Sequence, residues 1–326
     1  MNNQPAPTYL DRSYELVFPP PFVADDVAFY GFILEADSAR LRAICDRYLN
    51  GPLGKEGAFT PVGGFVLLAC CGLPSLRSTA PGYEDKGDYA ENEVAVWLPV
   101  IDHERERMVW MFPYIWVDNP FAMAMGREIY GFPKGLGEIE IASDPKSADH
   151  FSLKTLGVRR FAPGAKGEML PLLDVRRVRD KGVGAVVDEL FDDLGAMMKT
   201  MVHQLDNVHN LLGDLKLMLH VIEDMIGMKM PMVFLKQFRD AVDPTQVAYR
   251  SVIETMPGAR AIHGGRLYGD PFDITILDCD SAPILRDLGL ATDGPIRSKL
   301  SFYMNFDFEI GLGTEIASSH RVAEQA

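Results

Sequence analysis

The segment with the clearest chemical potential is residues 126–137, GREIYGFPKGLG, in which a single lysine, Lys134, follows a proline. We predict that a short helix ends near Gly131 and that Pro133 then forces an extended backbone. This places Lys134 between aromatic and glycine residues, where its side chain can be removed from water. Removal from water favours the neutral amine, which is the form of lysine that attacks carbonyl carbon atoms.

An unperturbed lysine is almost fully protonated at pH 7, because its pKa is about 10.4. Making the neutral amine available at that pH takes roughly 4–5 kcal/mol of differential stabilisation. Burial among nearby aromatic side chains can supply much of this free energy: Tyr130, Phe132, Trp97, Trp110 and Trp116. By position alone, however, a lysine after a proline is more often a solvent-facing turn residue.

The same segment resembles the lysine motif of the acetoacetate decarboxylase superfamily, approximately GRExxxxPKKLG. In that family, the first lysine after the proline is the nucleophile that forms a Schiff base, and the matching residue here is Lys134. The resemblance extends upstream through residues 117–128 and downstream to residues 231–238 and 274–288. It implies the fold of that family and a carbon–carbon lyase in which lysine itself accepts electrons, without a metal or an organic cofactor.

Residues 93–100, EVAVWLPV, are similar to the family strand that carries the active-site glutamate. The spacing to the Pro-Val pair assigns this role to Glu93, with Glu91 as the near alternative. A carboxylate within hydrogen-bond reach can orient the substrate or move protons. Three aromatic residues near the lysine are expected to bind the substrate: Tyr130, Phe132 and Trp116.

Two positions depart from the family pattern. The second lysine of the family motif is Gly135 here, so burial has to activate the nucleophile without an adjacent cation. The family arginine that binds the substrate carboxylate lies on an early strand, and the match to residues 29–37 assigns Glu35 to its place. An acid there would repel the carboxylate of simple acetoacetate. Arg40 and Arg42 lie close by in sequence.

Three functions remain open. The first is decarboxylation of a β-keto acid, in which the iminium at Lys134 takes up the electrons left by departing CO2. The second is an aldolase-dehydratase or retro-aldol reaction on a keto acid and an aldehyde. In the third, the scaffold has lost catalysis and serves as a binding or assembly protein. The aromatic-rich residues 107–117 also permit a bulky or aromatic substrate.

Short apolar runs of strand length lie on both sides of the middle of the chain. They cover residues 29–34, 63–72, 93–101, 107–117, 138–142, 232–238, 246–255, 272–278 and 301–310. Residues 36–50 and 119–131 have the spacing and caps of short helices. We therefore predict an α+β protein, a mainly antiparallel or mixed β-barrel of the acetoacetate decarboxylase type with peripheral helices.

The middle of the chain has a different pattern. Apolar residues recur at intervals of four and three from Val187 to Ile226, with no proline among them. This predicts a long inserted helix or a helical hairpin. A single helix of about 40 residues would measure roughly 60 Å, so we expect it to form a coiled coil that makes the protein a homo-oligomer. The expected domains are a barrel, residues 1–182 and 231–326, and an insert, residues 183–230.

Composition excludes several classes of protein. With 326 residues and a net charge of −14, the chain is poorly suited to nucleic acid or to an anionic membrane surface. No apolar run reaches the roughly 18 residues of a membrane span, and no signal peptide is visible. The four cysteines have no CxxC spacing and are expected to be buried free thiols. We therefore expect a cytoplasmic protein whose partner is a small keto acid or aldehyde.

Overall fold

The computed structural model describes residues 8–12, 17–179, 189–191 and 230–320. Within these ranges, sixteen strands join one sheet. The strands are β1 (Phe22–Glu35), β2 (Phe59–Pro61), β3 (Phe65–Ser78), β4 (Tyr89–Asp102), β5 (Arg107–Val117), β6 (Lys134–Glu140), β7 (His150–Gly157), β8 (Glu168–Arg177), β9 (Glu189–Phe191), β10 (Met232–Arg239), β11 (Val247–Thr255), β12 (Gly258–Leu267), β13 (Phe272–Ile276), β14 (Ile296–Arg297), β15 (Leu300–Ile310) and β16 (Thr314–His320).

The helices are short and lie between strands. They are α1 (Ser38–Cys45), α2 (Gly51–Leu53), α3 (Pro120–Met125) and α4 (Ile284–Leu288), with π-helical turns at Asp46–Asn50 and Gly126–Tyr130. Both helices predicted from the sequence are present. The side chain of Asp37 caps α1 by accepting from the backbone N–H of Arg40, and Asn119 caps α3 by accepting from Phe121.

The sheet is open, which corrects the predicted barrel. Its main path runs β14-β13-β8-β7-β6-β5-β4-β3-β1-β15-β12-β9, while β10, β11, β16 and β2 branch from it. Most neighbours are antiparallel, but β5 pairs in parallel with β6 and with β10. The path ends in strands of two and three residues, β14 and β9, and in the described ranges these ends do not pair with each other.

The central strands are buried on both faces. On β1, Phe29 and Ile33 belong to one hydrophobic core, whereas Tyr30, Phe32 and Leu34 belong to the other. The alternation follows from strand geometry, in which successive side chains point to opposite faces. It also explains why several strand sequences are apolar throughout rather than alternating.

Most of the predicted insert, residues 183–230, lies outside the described residues, and so do the predicted heptad seam and coiled coil. The structure describes Met230 and three residues near the start of the insert. These three, Glu189–Phe191, form β9 and pair with Gly265–Leu267 of β12. They are extended because they complete the ladder at an edge of the sheet, so the helix prediction is wrong at these residues.

In the described part of the chain, no helix combines the length and apolar character needed to cross a membrane. The four cysteines are free and buried.

Candidate active site

Strand β4 presents three polar side chains on one face. Tyr89, Glu91 and Glu93 are two residues apart, so the alternation of the strand directs all three to the same side of the sheet. Lys134 is the first residue of β6 and pairs with Ile115 of β5, while β5 pairs with β4 through Glu93 and Val117. The lysine therefore lies two strands away from the glutamates, across a continuous sheet.

The segment before the lysine is shaped by glycine and proline. The π-helical turn after α3 ends at Gly131, which has a φ of 80°, and a Cβ there would lie 2.6 Å from the Lys236 backbone. At Gly126, a Cβ would lie 2.8 Å from Cδ of Lys134. Both glycines thus permit close packing that other residues would block. The Gly-Arg-Glu part of the motif makes space for the lysine side chain.

Lys134 lies against both carboxylates. Its Nζ is 3.3 Å from Oε1 and 3.4 Å from Oε2 of Glu91, and 3.4 Å from Oε2 of Glu93. The ring centroid of Phe132 is 5.9 Å from the same nitrogen. Lys134 and Glu91 are only 5% and 4% exposed, and the Glu93 side chain is 13% exposed. Buried charged groups of this kind need partners, and here they partner each other.

The three groups determine each other's protonation. Burial raises the pKa of Glu91 to about 7, although the ammonium of Lys134 opposes the shift. Burial also raises the pKa of Glu93, against the same opposition. Burial lowers the pKa of Lys134, but the two carboxylates outweigh burial, so the pKa lies above its usual value. The resting lysine is therefore protonated, and both glutamates hold a proton more readily than an exposed glutamate does.

These groups lie in the wall of an apolar cavity of about 110 Å³. The wall is built by strands that are distant in sequence and by α3. Its aromatic and methionine residues include Phe29, Trp97, Phe112, Phe132, Met232 and Phe306. Among the lining residues, all of which lie in the described ranges, Lys134 is the only cation and no arginine is present.

The structure brings four of the five predicted site residues to this cavity. Lys134 and Glu93 line it, and the stacked rings of Tyr130 and Phe132, 5.1 Å apart, form part of its wall. Glu91, the alternative acid, lines it as well.

Trp116 lies on the other face of the sheet and stacks on Tyr114 at 5.7 Å. The β4–β5 pairing is irregular between Val96 and Leu98, opposite the stretch from Met111 to Tyr114. This irregularity changes which β5 residues face the cavity.

Glu35 does not take the place of an arginine at the cavity. Its side chain is exposed at the end of β1 and pairs with Lys299, whose Nζ is 2.8 Å from Oε2 of Glu35. Phe29 and Val27 of the same strand line the cavity instead. The expected repulsion of a substrate carboxylate by Glu35 therefore has no structural basis.

Gly135 stands where the family motif has its second lysine, and a side chain at this position would be crowded. A Cβ at this position would lie 3.0 Å from Cδ1 of Trp116, on the face away from the cavity. The neighbouring cation that the structure does provide is Arg127, which donates from Nη1 to the backbone oxygen of Lys134 at 3.1 Å. It holds the backbone of the lysine, while the ammonium points to the glutamates.

Sequence reasoning missed two further titratable side chains of the cavity. Cys71 lies directly opposite Glu93 on β3, and burial raises the pKa of its thiol. Tyr89 also lines the cavity, and the alternation Tyr89-x-Glu91-x-Glu93 is the signal that could have found it. Away from the cavity, Asp26, His263 and Asp307 come within 4.8 Å of one another at the surface, where an oxygen of Asp307 is already hydrogen-bonded to the other two residues.

Part of the chain matches a known protein family. Residues 75–167 match the sequence model of the family described as acetoacetate decarboxylase (ADC). The matched range contains Glu91, Glu93 and Lys134. The resemblance to the acetoacetate decarboxylase superfamily is confirmed. A comparison with curated proteins gives no match.

Several solved structures share the fold. Acetoacetate decarboxylase from Legionella pneumophila subsp. pneumophila str. Philadelphia 1 is 14% identical, with a TM-score of 0.60 over 97% of this chain and 94% of that one. An acetoacetate decarboxylase-like enzyme from Sphingomonas wittichii RW1 is also 14% identical, with a TM-score of 0.56 over 96% and 99%.

A third structure is the enduracididine biosynthesis enzyme MppR, complexed with the condensation product of pyruvate and imidazole 4-carboxaldehyde. It is 14% identical, with a TM-score of 0.55 over 94% of this chain and 92% of that one. At these identities, the likeness shows that the fold is shared.

Proposed function

We propose that this protein is a carbon–carbon lyase that forms a Schiff base between Lys134 and a β-keto acid and releases CO2. The observation that carries the proposal is the buried Lys134 Nζ, held 3.3 Å from Glu91 and 3.4 Å from Glu93 in an apolar cavity. A nucleophilic amine, two proton-exchanging acids and a wall that excludes water are what this chemistry needs.

The two glutamates have different parts in forming the Schiff base. Glu91, whose pKa is about 7, keeps a proton near neutral pH. Glu93 is assigned the part of the base: its carboxylate accepts the proton of Lys134, which leaves a neutral amine to attack the substrate ketone. Protonated Glu91 then donates to the departing hydroxyl group, so that water leaves and an iminium forms. Pairs of carboxylic acids in one site commonly divide the roles of acid and base in this way.

The apolar wall favours the step that breaks the bond. After the iminium has formed, the bound substrate carries a positive nitrogen and a negative carboxylate. When the bond to the carboxylate breaks, its electrons move to the iminium, so the products are CO2 and a neutral enamine. Charge disappears in this step, and a surrounding of low polarity favours the loss of charge. A glutamate then donates a proton to the enamine carbon, which forms an iminium again. Addition of water to this iminium releases the ketone and restores Lys134.

An aldol-type reaction is the second candidate. The fold is shared with MppR, which was solved with the condensation product of pyruvate and an aldehyde. The enamine formed at Lys134 would attack an aldehyde carbon, with a glutamate donating the proton that the new alkoxide needs. An apolar cavity with two acids accommodates this step as well.

Borohydride trapping tests the proposal. Reduction in the presence of acetoacetate, a longer β-keto acid or pyruvate with an aldehyde should add a stable mass to Lys134, which peptide mass spectrometry locates. Lys236 serves as an internal control, because it is half-buried and burial lowers its pKa, but it lies outside the cavity. CO2 release separates decarboxylation from aldol chemistry. If no carbonyl compound gives an adduct at Lys134, the Schiff-base proposal fails and the third function, a binding or assembly protein, is favoured.

We also propose that the protein acts in the cytoplasm and as a homo-oligomer. The four free, buried cysteines support a reducing compartment. The heptad pattern of residues 186–228 supports association between copies of the chain. Light scattering of the full chain and of a variant without residues 192–228, which keeps β9, measures the number of subunits. An equal number in both would contradict the proposed association.

A further inference from the structure

The cavity has a partly exposed polar end and a buried aromatic end along β4. Tyr89 is half-buried and precedes Glu91 by two residues, which is about 6.6 Å along a strand. Trp97 follows Glu93 by four residues, is fully packed, and its ring lies 4.4 Å from that of Phe112. The ammonium of Lys134 lies between these ends. A substrate attached to Lys134 therefore extends toward Tyr89 on one side and toward Trp97 on the other.

The hydroxyl group of Tyr89 has a weak partner. Among the described residues, it donates to the thioether sulfur of Met125 at 3.8 Å and makes no other hydrogen bond. A phenol is a good donor and a thioether is a poor acceptor. The other phenol of the wall, Tyr130, already donates to the backbone oxygen of Gly311 at 2.8 Å. Tyr89 is thus the wall tyrosine whose O–H can turn to a ligand.

A β-keto acid needs a donor for its carboxylate. The wall contains no arginine in the part of the chain described, and Lys134 becomes the covalent link to the ketone carbon. We infer that Tyr89 binds the substrate carboxylate through its hydroxyl group and directs the rest of the substrate toward Trp97. This inference rests on the proposed function. A neutral donor holds the carboxylate without an ion pair, so less attraction is lost when CO2 departs.

The test compares a charged substrate with a neutral one in the Tyr89→Phe variant, which keeps the ring and loses only the oxygen. We expect KM for acetoacetate and its longer homologues to rise about tenfold, as for loss of a hydrogen bond to a charged group. Borohydride trapping of acetone at Lys134 should stay at the wild-type level. Tyr114→Phe is the matched control, because its hydroxyl group donates to Asp287 outside the cavity.

Three results would overturn the inference. The first is an unchanged KM for the β-keto acid in Tyr89→Phe. The second is a loss of acetone trapping as large as the effect on the β-keto acid, which would show that Tyr89 only supports the fold. The third comes from calorimetry with butyrate, a carboxylate with no carbonyl to react. Wild type should bind it and Tyr89→Phe should bind it about tenfold more weakly; equal binding, or no binding by wild type, counts against Tyr89. If wild type binds butyrate more tightly than Tyr89→Phe does, but no carbonyl compound is trapped or decarboxylated, the proposed lyase function fails and the carboxylate site remains.

Discussion

The most informative perturbation is Glu91→Gln, because it removes a titrating proton from the cavity without changing the size of the side chain. The pKa of Glu91 is about 7 in the folded protein, against 4.5 for an ordinary glutamate. Since the raised pKa belongs to an acid, Glu91 is protonated below about pH 7 and ionised above it. About nine-tenths of it is protonated near pH 6 and about one-tenth near pH 8. If protonated Glu91 is the form that works, kcat/KM falls about tenfold over that interval.

In Glu91→Gln this fall should vanish, because the amide does not titrate. At about pH 6, the same variant should lose roughly 10²–10⁴-fold in kcat/KM, the usual contribution of a positioned acid. Removal of Glu91 also removes a negative neighbour that raises the pKa of Lys134, so the amine should remain reactive. Borohydride trapping of acetone at Lys134 therefore reports whether the nucleophile is intact in the variant.

The assay is CO2 release from a β-keto acid at saturating and limiting substrate across the pH range, after subtraction of the spontaneous rate. Glu140→Gln is a matched control at the exposed end of β6 and should keep the wild-type profile. A tenfold fall that persists in Glu91→Gln would refute the assignment, because another group would then be titrating. A wild-type profile that rises from pH 6 to pH 8 would refute the requirement for a protonated acid.

Three further predictions follow from packing. Gly126→Ala should lower the free energy of unfolding by about 1–3 kcal/mol and slow trapping at Lys134, because the new Cβ would lie 2.8 Å from the Lys134 side chain. Thermal melting measures the loss of stability, and Gly311→Ala is the control because a Cβ there meets nothing within 4 Å. Trp116→Phe should leave KM unchanged whereas Phe132→Leu should raise it, because only Phe132 lines the cavity; a matching rise in both would contradict this placement. Lengthening the apolar chain of the β-keto acid should raise kcat/KM about fourfold per methylene until the cavity is full, and a decrease from the first methylene would be inconsistent with an apolar pocket.

The sequence by itself determined the local part of the site. Asn119, Gly131 and Pro133 begin and end the short helix and turn the backbone toward Lys134 through capping and backbone sterics, which act within a few residues. The alternation of β4 places Glu91 and Glu93 on one face whatever the rest of the chain does. Sequence alone therefore located the lysine and both candidate acids.

Tertiary structure decided which residues line the cavity and whether the sheet closes into a barrel. Trp116 faces away from the cavity because of an irregularity in the β4–β5 pairing, and no local sequence pattern predicts that irregularity. Phe29, Met232 and Phe306 meet at the cavity although they are far apart in the chain. In the described ranges the sheet is open, and strands of two and three residues end its path. Such features depend on the register between distant strands, and register is set by the packing of whole faces. Local spacing found the reacting groups, and only the assembled sheet decided what surrounds them.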